Sequence, residues 1–552
     1  MGPVQQKCSD CVRQPSSSDK GSGARRFSLA LAIVLALLAV WLRVQFVAHA
    51  GGLWRDEVNT VNMACEASWG SFRQATHYDS FALFWQAIVR LWAGLGVCAE
   101  DRGWRALGFA IGVGQVVALW LGAKAVGAGA PMWSMLLFGW GPAAVSFGST
   151  VRGYGLAALL AMVVLIAVVR FLQEPNPRRW MWLVAASVLA VQTYLPNGVI
   201  VVALHAAASV ELACRRQWQG VAALAASSGV AASSLVLNAE WIRYALQVSG
   251  VEQRRVSWSD VWYQWWWAAA PEVWVLKWAW PVAVCFLAAW PFIERAARRT
   301  EDSVGRWFFS AAALLTGAGH ALYVHSVAQL PGLPWYFLAP TAVVALSVEG
   351  VWSRATRQLP ALRWLGPVVC GALAVAVFPP VRTAVHFRLT NVDEVASFLS
   401  RTAVAQDFIL VSPWYAGITF QRYYRGPAPW ETIPPLQEHR YHVHLEVRER
   451  MREGEEAIRP LLQRAETVLR RGGILWLVGV PPLPEEGEAI PPLKPAASPR
   501  TPAGPYLLGW EMRVALFLYE HGARVERIPV GSPEPVSVHE SLGLLRLQGW
   551  RG

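Results

Sequence analysis

Charge is what this sequence has least of. Asp, Glu, Lys and Arg together make up 16% of its 552 residues, against 54% hydrophobic residues. With a mean hydropathy of +0.31, a chain of this length cannot fold as one soluble domain without exposing large apolar patches. A polytopic membrane protein is what remains. Seven cysteines give no disulfide framework. Cys8 and Cys11 form a lone CxxC with no second pair to complete a zinc site. Cys65 and Cys98 can meet only if both lie on one side of the membrane, and Cys214, Cys285 and Cys370 fall in or beside apolar runs as packing residues. No basic stripe interleaved with aromatics argues for DNA or RNA, so nucleic acid is excluded as a partner. No two-half repeat is evident either, which counts against the rival class, a transporter or lipid flippase.

Long apolar runs, by contrast, are plentiful as far as residue 381 and then stop. Spanning roughly 30 Å of hydrocarbon takes about 17 to 25 residues. The first run, Phe27 to Val47, follows Arg25-Arg26 and is too long for a secretory h-region of about 7 to 15 residues. It reads as an uncleaved first transmembrane helix behind a disordered cytoplasmic tail, residues 1–26. Eleven more stretches follow, near 81–98, 106–126, 132–149, 155–172, 181–195, 197–214, 220–238, 272–292, 307–328, 335–352 and 363–381.

The net charge of +12 locates the loops. Residues 391–552 carry 18 basic against 19 acidic residues, so the excess sits in the first 390, with 31 against 18. Arg178-Arg179, Arg215-Arg216, the group Arg295, Arg298, Arg299 and the trio Arg354, Arg357, Arg363 mark cytoplasmic loops by the positive-inside rule. They place the loop 51–79, the tip Tyr194 to Gly198, the loop from about 239 to 271 and everything after 381 outside an inner (plasma) membrane. One parity conflict arises. Between the first outer loop and Arg178 the crossings must be odd in number, yet four apolar stretches lie there, so 11–13 spans are expected. The Gly-rich region Gly127 to Gly155 is the softest part.

The outer loop GGLWRDEVNTVNMACEASWGSFRQATHYD, Gly51 to Asp79, sets Asp56 and Glu57 side by side, with His77 and Asp79 at the re-entry. An adjacent acidic pair at the mouth of a bilayer suits proton transfer on a membrane-bound substrate. Solvated surface carboxylates are the alternative. The loop from Asn238 to Pro271 carries Trp241, Trp258, Trp262, Trp265, Trp266 and Trp267. It reads as an interfacial helix, a substrate wall, or both.

After residue 381 the pattern changes to a small α/β domain. Helices are expected over Asn391 to Ala405, Glu455 to Arg471 and Tyr506 to His521. Strands are expected over Asp407 to Ser412, Gly473 to Val480, Arg524 to Val530 and Val536 to Gln548, with a Pro-rich loop from Pro481 to Pro505. The domain has no Gly-rich phosphate loop and no nucleophile elbow, and reads as an accessory or acceptor-facing unit.

The blocks LWRDE (Leu53 to Glu57), THYDSFALFWQAIVRLW (Thr76 to Trp92), DRGWRALG (Asp101 to Gly108), VSFGSTVRGYGLAALL (Val145 to Leu160) and PWYFLAP (Pro334 to Pro340) resemble, in this order, the GT-C superfamily of integral membrane glycosyltransferases. The similar branch holds the protein O-mannosyltransferases and lipid A aminoarabinose transferases. The resemblance implies a helical GT-C-type membrane domain over 27–381 with a catalytic outer loop 49–80, and an extracytoplasmic domain over 382–552. It implies transfer of a sugar from a polyprenyl-phosphate donor to a lipid, glycan or protein acceptor. It makes Asp56 the base or acceptor-positioning group, supported by Glu57, and puts Arg105, Arg152, Tyr154 and Tyr336 near the carrier; snorkelling is the other reading of the two arginines. Two places depart from the family: Asp79-Ser80-Phe81 stands for a Pro-Pro-Leu re-entry, and Trp335-Tyr336 for an Arg-Tyr pair. His77 and Asp79 could hold a divalent cation as in some members, though two ligands are too few to define a metal site.

Overall fold

The computed structural model describes residues 19–252, 256–269, 273–296, 305, 307–329, 332–485, 490–498, 501–531 and 533–551. The Cys8–Cys11 pair, Arg298 and Arg299 lie outside the described residues. Residues 19–26, expected in a disordered tail, are instead the start of the helix Asp19–His49. No proline interrupts them, and Arg and Ala favour a helix.

All twelve apolar stretches are helical, and the described residues hold eight helices long and apolar enough to cross a membrane. The chain is a multi-pass integral membrane protein. The other four stretches form shorter or broken helices. Leu83–Ala93 has eleven residues and rises about 16 Å, half a bilayer core. Gln86 Nε2 donates to Phe81 O at 2.8 Å, Arg90 Nη1 donates to Ala64 O at 2.7 Å, and Cys65 and Cys98 form a disulfide with Cα atoms 5.8 Å apart. The helix in the stretch 81–98 is too short to cross the hydrocarbon core alone. The soft region is a broken helix, Met135–Gly139, Pro142–Ser146 and Phe147–Ser149, interrupted at Gly141-Pro142, where proline lacks an N–H donor.

The outer Trp-rich segment forms two helices, Ala239–Glu252 and Trp258–Ala269. Beyond Leu362–Ala384 comes the α/β domain. Its strands are β1 (Phe408–Val411), β2 (Trp430–Thr432), β3 (Ile474–Val478), β4 (Gly522–Ile528) and β5 (Leu544–Trp550), in sheet order β2-β1-β3-β5-β4. β1 runs parallel to β2 and β3, and β5 antiparallel to β3 and β4. Most of the strand expected over Val536 to Gln548 is loop. Val536 makes only an isolated bridge to Arg388, and the ladder starts at Leu544. The segment around Glu455 divides into a 3-10 turn, Gly454–Ile458, and a helix, Arg459–Arg470, with Pro460 in its first turn.

Candidate active site at the seam between bundle and domain

The loop 51–79 folds as helices Arg55–Ala64 and Trp69–Ala75 and a 3-10 turn Thr76–Tyr78. Gly51 makes its entry possible. Its φ is +67°, and a Cβ there would meet the Arg388 guanidinium at 2.7 Å. The α/β domain grips the loop from above. Tyr423 hydroxyl receives Leu53 N–H at 2.7 Å and donates to Asp101 Oδ2 at 2.6 Å, Arg422 pairs with Asp101 at 2.6 Å, and Tyr78 stacks on Tyr441 with centroids 5.1 Å apart.

The adjacent acids Asp56 and Glu57 have opposite surroundings. Glu57 is completely buried. Its Oε1 accepts Arg105 Nη1 at 2.6 Å and Val151 N–H at 2.8 Å, and Oε2 accepts Trp54 N–H at 3.4 Å. Burial raises its pKa against the pull of Arg105 and the two N–H donors. Arg105 also donates to Gly52 O at 2.9 Å. Glu57 therefore ties the helix start to two neighbouring segments. Asp56 keeps 17% of its side chain exposed, with His442 Nε2 at 3.3 Å and Arg55 Nε at 3.6 Å from Oδ1. Burial alone would raise its pKa. The hydrogen bond from His442 and the charges of Arg152 and Arg55 outweigh it and hold the carboxyl well below the usual carboxylate range.

Arg152 lies beneath this helix. Nη1 donates to Asp56 O at 3.1 Å, Thr60 Oγ1 at 2.8 Å and Asp79 Oδ1 at 2.8 Å, and Nη2 donates to Ser80 Oγ at 3.0 Å. Burial disfavours its charge, but Asp79 and Asp56 raise its pKa above the ordinary arginine value. The glycines that follow Arg152 leave no open space, because protein fills it. A Cβ at Gly153 would meet the Phe81 ring at 2.4 Å, and one at Gly155 would meet Gly148 O at 2.2 Å. Both arginines of the expected carrier site are thus committed to buried ion pairs. Asp79 is consumed in the same way, since Oδ1 also accepts Ser80 N–H at 2.8 Å and Oδ2 accepts Thr60 Oγ1 at 3.2 Å. His77 turns elsewhere, to Gln74 O at 3.0 Å and the Tyr244 ring at 5.6 Å.

Tyr154 and Tyr336 meet with ring centroids 5.7 Å apart, in an aromatic group with Phe81, Tyr194 and Trp335. Trp335 extends it to Trp54, Phe147 and His539. His539 and Glu540 reach the site from the loop before β5. His539 O accepts Arg55 Nη1 at 2.6 Å, Glu540 Oε2 accepts Arg55 N–H at 3.1 Å, and Thr419 Oγ1 donates to Glu540 Oε1 at 2.7 Å. Burial pushes Glu540 up to about 7, and burial with Arg55 pushes His539 down to about 4. A cleft lined by Asp101, Arg422, Tyr423 and Arg425 follows the same seam without reaching Asp56.

Sequence reasoning missed His442, His539, Glu540 and Arg55. His442 left a signal, since HRYHVH holds three of the chain's eleven histidines within six residues. Arg55 stood inside LWRDE. Nothing local marks His539 or Glu540, whose role exists only through contacts across the fold.

Solved structures similar to this chain include ArnT from Cupriavidus metallidurans in the apo state, with 13% identity, 84% of this chain and 93% of that chain covered, and a TM-score of 0.48. The same protein bound to undecaprenyl phosphate gives 12%, 94% and 97%, and 0.47. The Archaeoglobus fulgidus oligosaccharyltransferase in complex with zinc and sulfate gives 13%, 81% and 67%, and 0.47. No family model and no curated protein matches the chain.

Proposed function

We propose that this chain is a GT-C-type glycosyltransferase that moves a sugar from a polyprenyl-phosphate donor to an acceptor on the outer face of the membrane, with Asp56 as the group facing the acceptor. The observation that carries the reading is the state of Asp56. It is an ionised, partly exposed carboxylate at the mouth of a membrane bundle, beside a buried neighbour of the same chemistry that is fully engaged. The LWRDE block and its resemblance to GT-C enzymes point to the same residue.

In this reading the acceptor hydroxyl attacks the anomeric carbon, the bond from that carbon to the carrier phosphate breaks, and the configuration inverts. A carboxylate of depressed pKa is a weak base. It orients the hydroxyl, stabilises positive charge growing on the sugar ring and takes the proton late, when the attacking oxygen has become acidic. His442 is a positioning residue, holding the Asp56 carboxylate by its Nε2–H. The aromatic group around Tyr154 and Tyr336 forms an apolar wall, while the Arg152–Asp79 and Arg105–Glu57 pairs shape the floor. The N-terminus is then cytoplasmic and the α/β domain extracytoplasmic.

The test is Asp56→Asn in membranes supplied with radiolabelled polyprenyl-phosphate sugar. We expect turnover to fall by about 10² to 10⁴ with expression and insertion unchanged. Near-normal turnover would overturn the assignment.

A further inference from the structure

Outside this site, three residues from distant parts of the chain bring metal-ligand atoms together. His49 closes the first long helix, His386 follows the last, and Glu534 lies on the loop between β4 and β5. Their ligand atoms all lie within 4.8 Å of one another. His49 Nδ1 is 3.0 Å from Glu534 Oε1, and the two imidazole centroids are 3.8 Å apart. Backbone bonds beside each residue fix the arrangement. Leu389 N–H donates to Ala50 O at 2.9 Å, Arg388 N–H donates to Pro535 O at 2.8 Å, and Ser537 N–H donates to Arg388 O at 2.8 Å. The cation nearest in sequence, Arg388, is matched by Asp393 at 2.6 Å and Glu394 at 3.5 Å, and Glu534 is left to the histidines.

We propose that His49, His386 and Glu534 bind one zinc ion, with water completing the coordination, and that the ion fastens the first and last long helices to the α/β domain. Two imidazole nitrogens and one carboxylate oxygen suit zinc, whereas calcium and magnesium take mainly oxygen ligands. Tetrahedral zinc needs ligand atoms roughly 3.4 Å apart. One pair is already closer than that, and side-chain rotations of partly exposed residues bring in the remainder. The site is built at a joint between parts of the fold, so its role is structural.

The test uses the untagged full-length chain in detergent, carrying Cys8→Ser and Cys11→Ser so that the CxxC cannot supply the metal. The protein is stripped with a chelator, dialysed against buffered free zinc and analysed for metal. We expect one zinc per chain, undisturbed by millimolar magnesium or calcium, and slower proteolysis between the last long helix and β1 when zinc is present. His386→Ala and Glu534→Gln, made separately, should each weaken zinc binding by more than about tenfold and abolish the zinc effect on proteolysis. His77→Ala, outside the cluster, should change neither. Should His386→Ala not fold, Glu534→Gln, close to isosteric, decides the matter. Zinc no higher than in a buffer blank, or equal zinc in all variants, would overturn the proposal.

Discussion

Glu57→Gln should damage the fold, while Asp56→Asn, one residue away, should leave it intact. The difference follows from their partners. Glu57 supplies the carboxylate that neutralises buried Arg105 at 2.6 Å and accepts the N–H groups of Val151 and Trp54. Glutamine keeps one acceptor oxygen and nearly the same volume, but leaves the Arg105 charge without a counter-charge. Breaking a buried pair from one side typically costs about 3–5 kcal/mol. Removing the pair with Glu57→Leu and Arg105→Met takes away the uncompensated charge but leaves the two N–H groups without an acceptor at about 1–3 kcal/mol each, so the double variant should also be less stable than the wild type. The assay is the unfolding rate at fixed temperature in one detergent, since large membrane proteins commonly unfold irreversibly. We expect Glu57→Gln and the double variant to unfold faster than the wild type, and Asp56→Asn to match it. A Glu57→Gln protein of wild-type stability that had lost turnover would refute the reasoning and make Glu57 the catalytic acid or base.

Two further outcomes are expected. Replacing Cys65 and Cys98 by serine opens a disulfide with a sequence separation of 33, worth about 3–4 kcal/mol by chain entropy; the loop 65–98 should become protease-sensitive while Asp56 chemistry persists, and unchanged protection would argue against the bond. Glu540 has a folded pKa of about 7 against an ordinary 4.5, so its protonated form is the stabilised one. Its contribution is full below the ordinary value and is lost as pH rises to 7, by roughly 3 kcal/mol. Thermal unfolding at several pH values should show that loss in the wild type but not in Glu540→Gln, and identical pH dependence in the two would contradict the burial argument.

The helical plan was legible because hydrophobic run length and arginine placement are properties of single segments. β1, β3 and the helix Val392–Thr402 were legible for the same reason. Shorter elements were not. β2 has three residues, and the helices Ala416–Tyr423 and His444–Glu453 carry mixed polar faces, so tertiary contacts set them more than periodicity does. At the site, Asp56 could be singled out from its motif. The opposite surroundings of Asp56 and Glu57 could not, since they depend on Arg105, Val151 and His442, all remote in sequence. Nor does the sequence disclose what packs beside Arg152, where the Phe81 ring and Gly148 O occupy the space left by Gly153 and Gly155.

The seam also sets an order of events during synthesis. Glu540 follows Arg55 by 485 residues, and translation at about 5–20 residues per second separates the two by roughly half a minute to a minute and a half. Throughout that interval the loop holding Asp56 exists without His442, without the carboxylate that receives Arg55 N–H, and without the ring of His539. A growing chain can therefore lodge its helices in the bilayer while the surroundings of Asp56 are still incomplete, and a chain halted before the α/β domain would present that carboxylate without the contacts that the domain supplies.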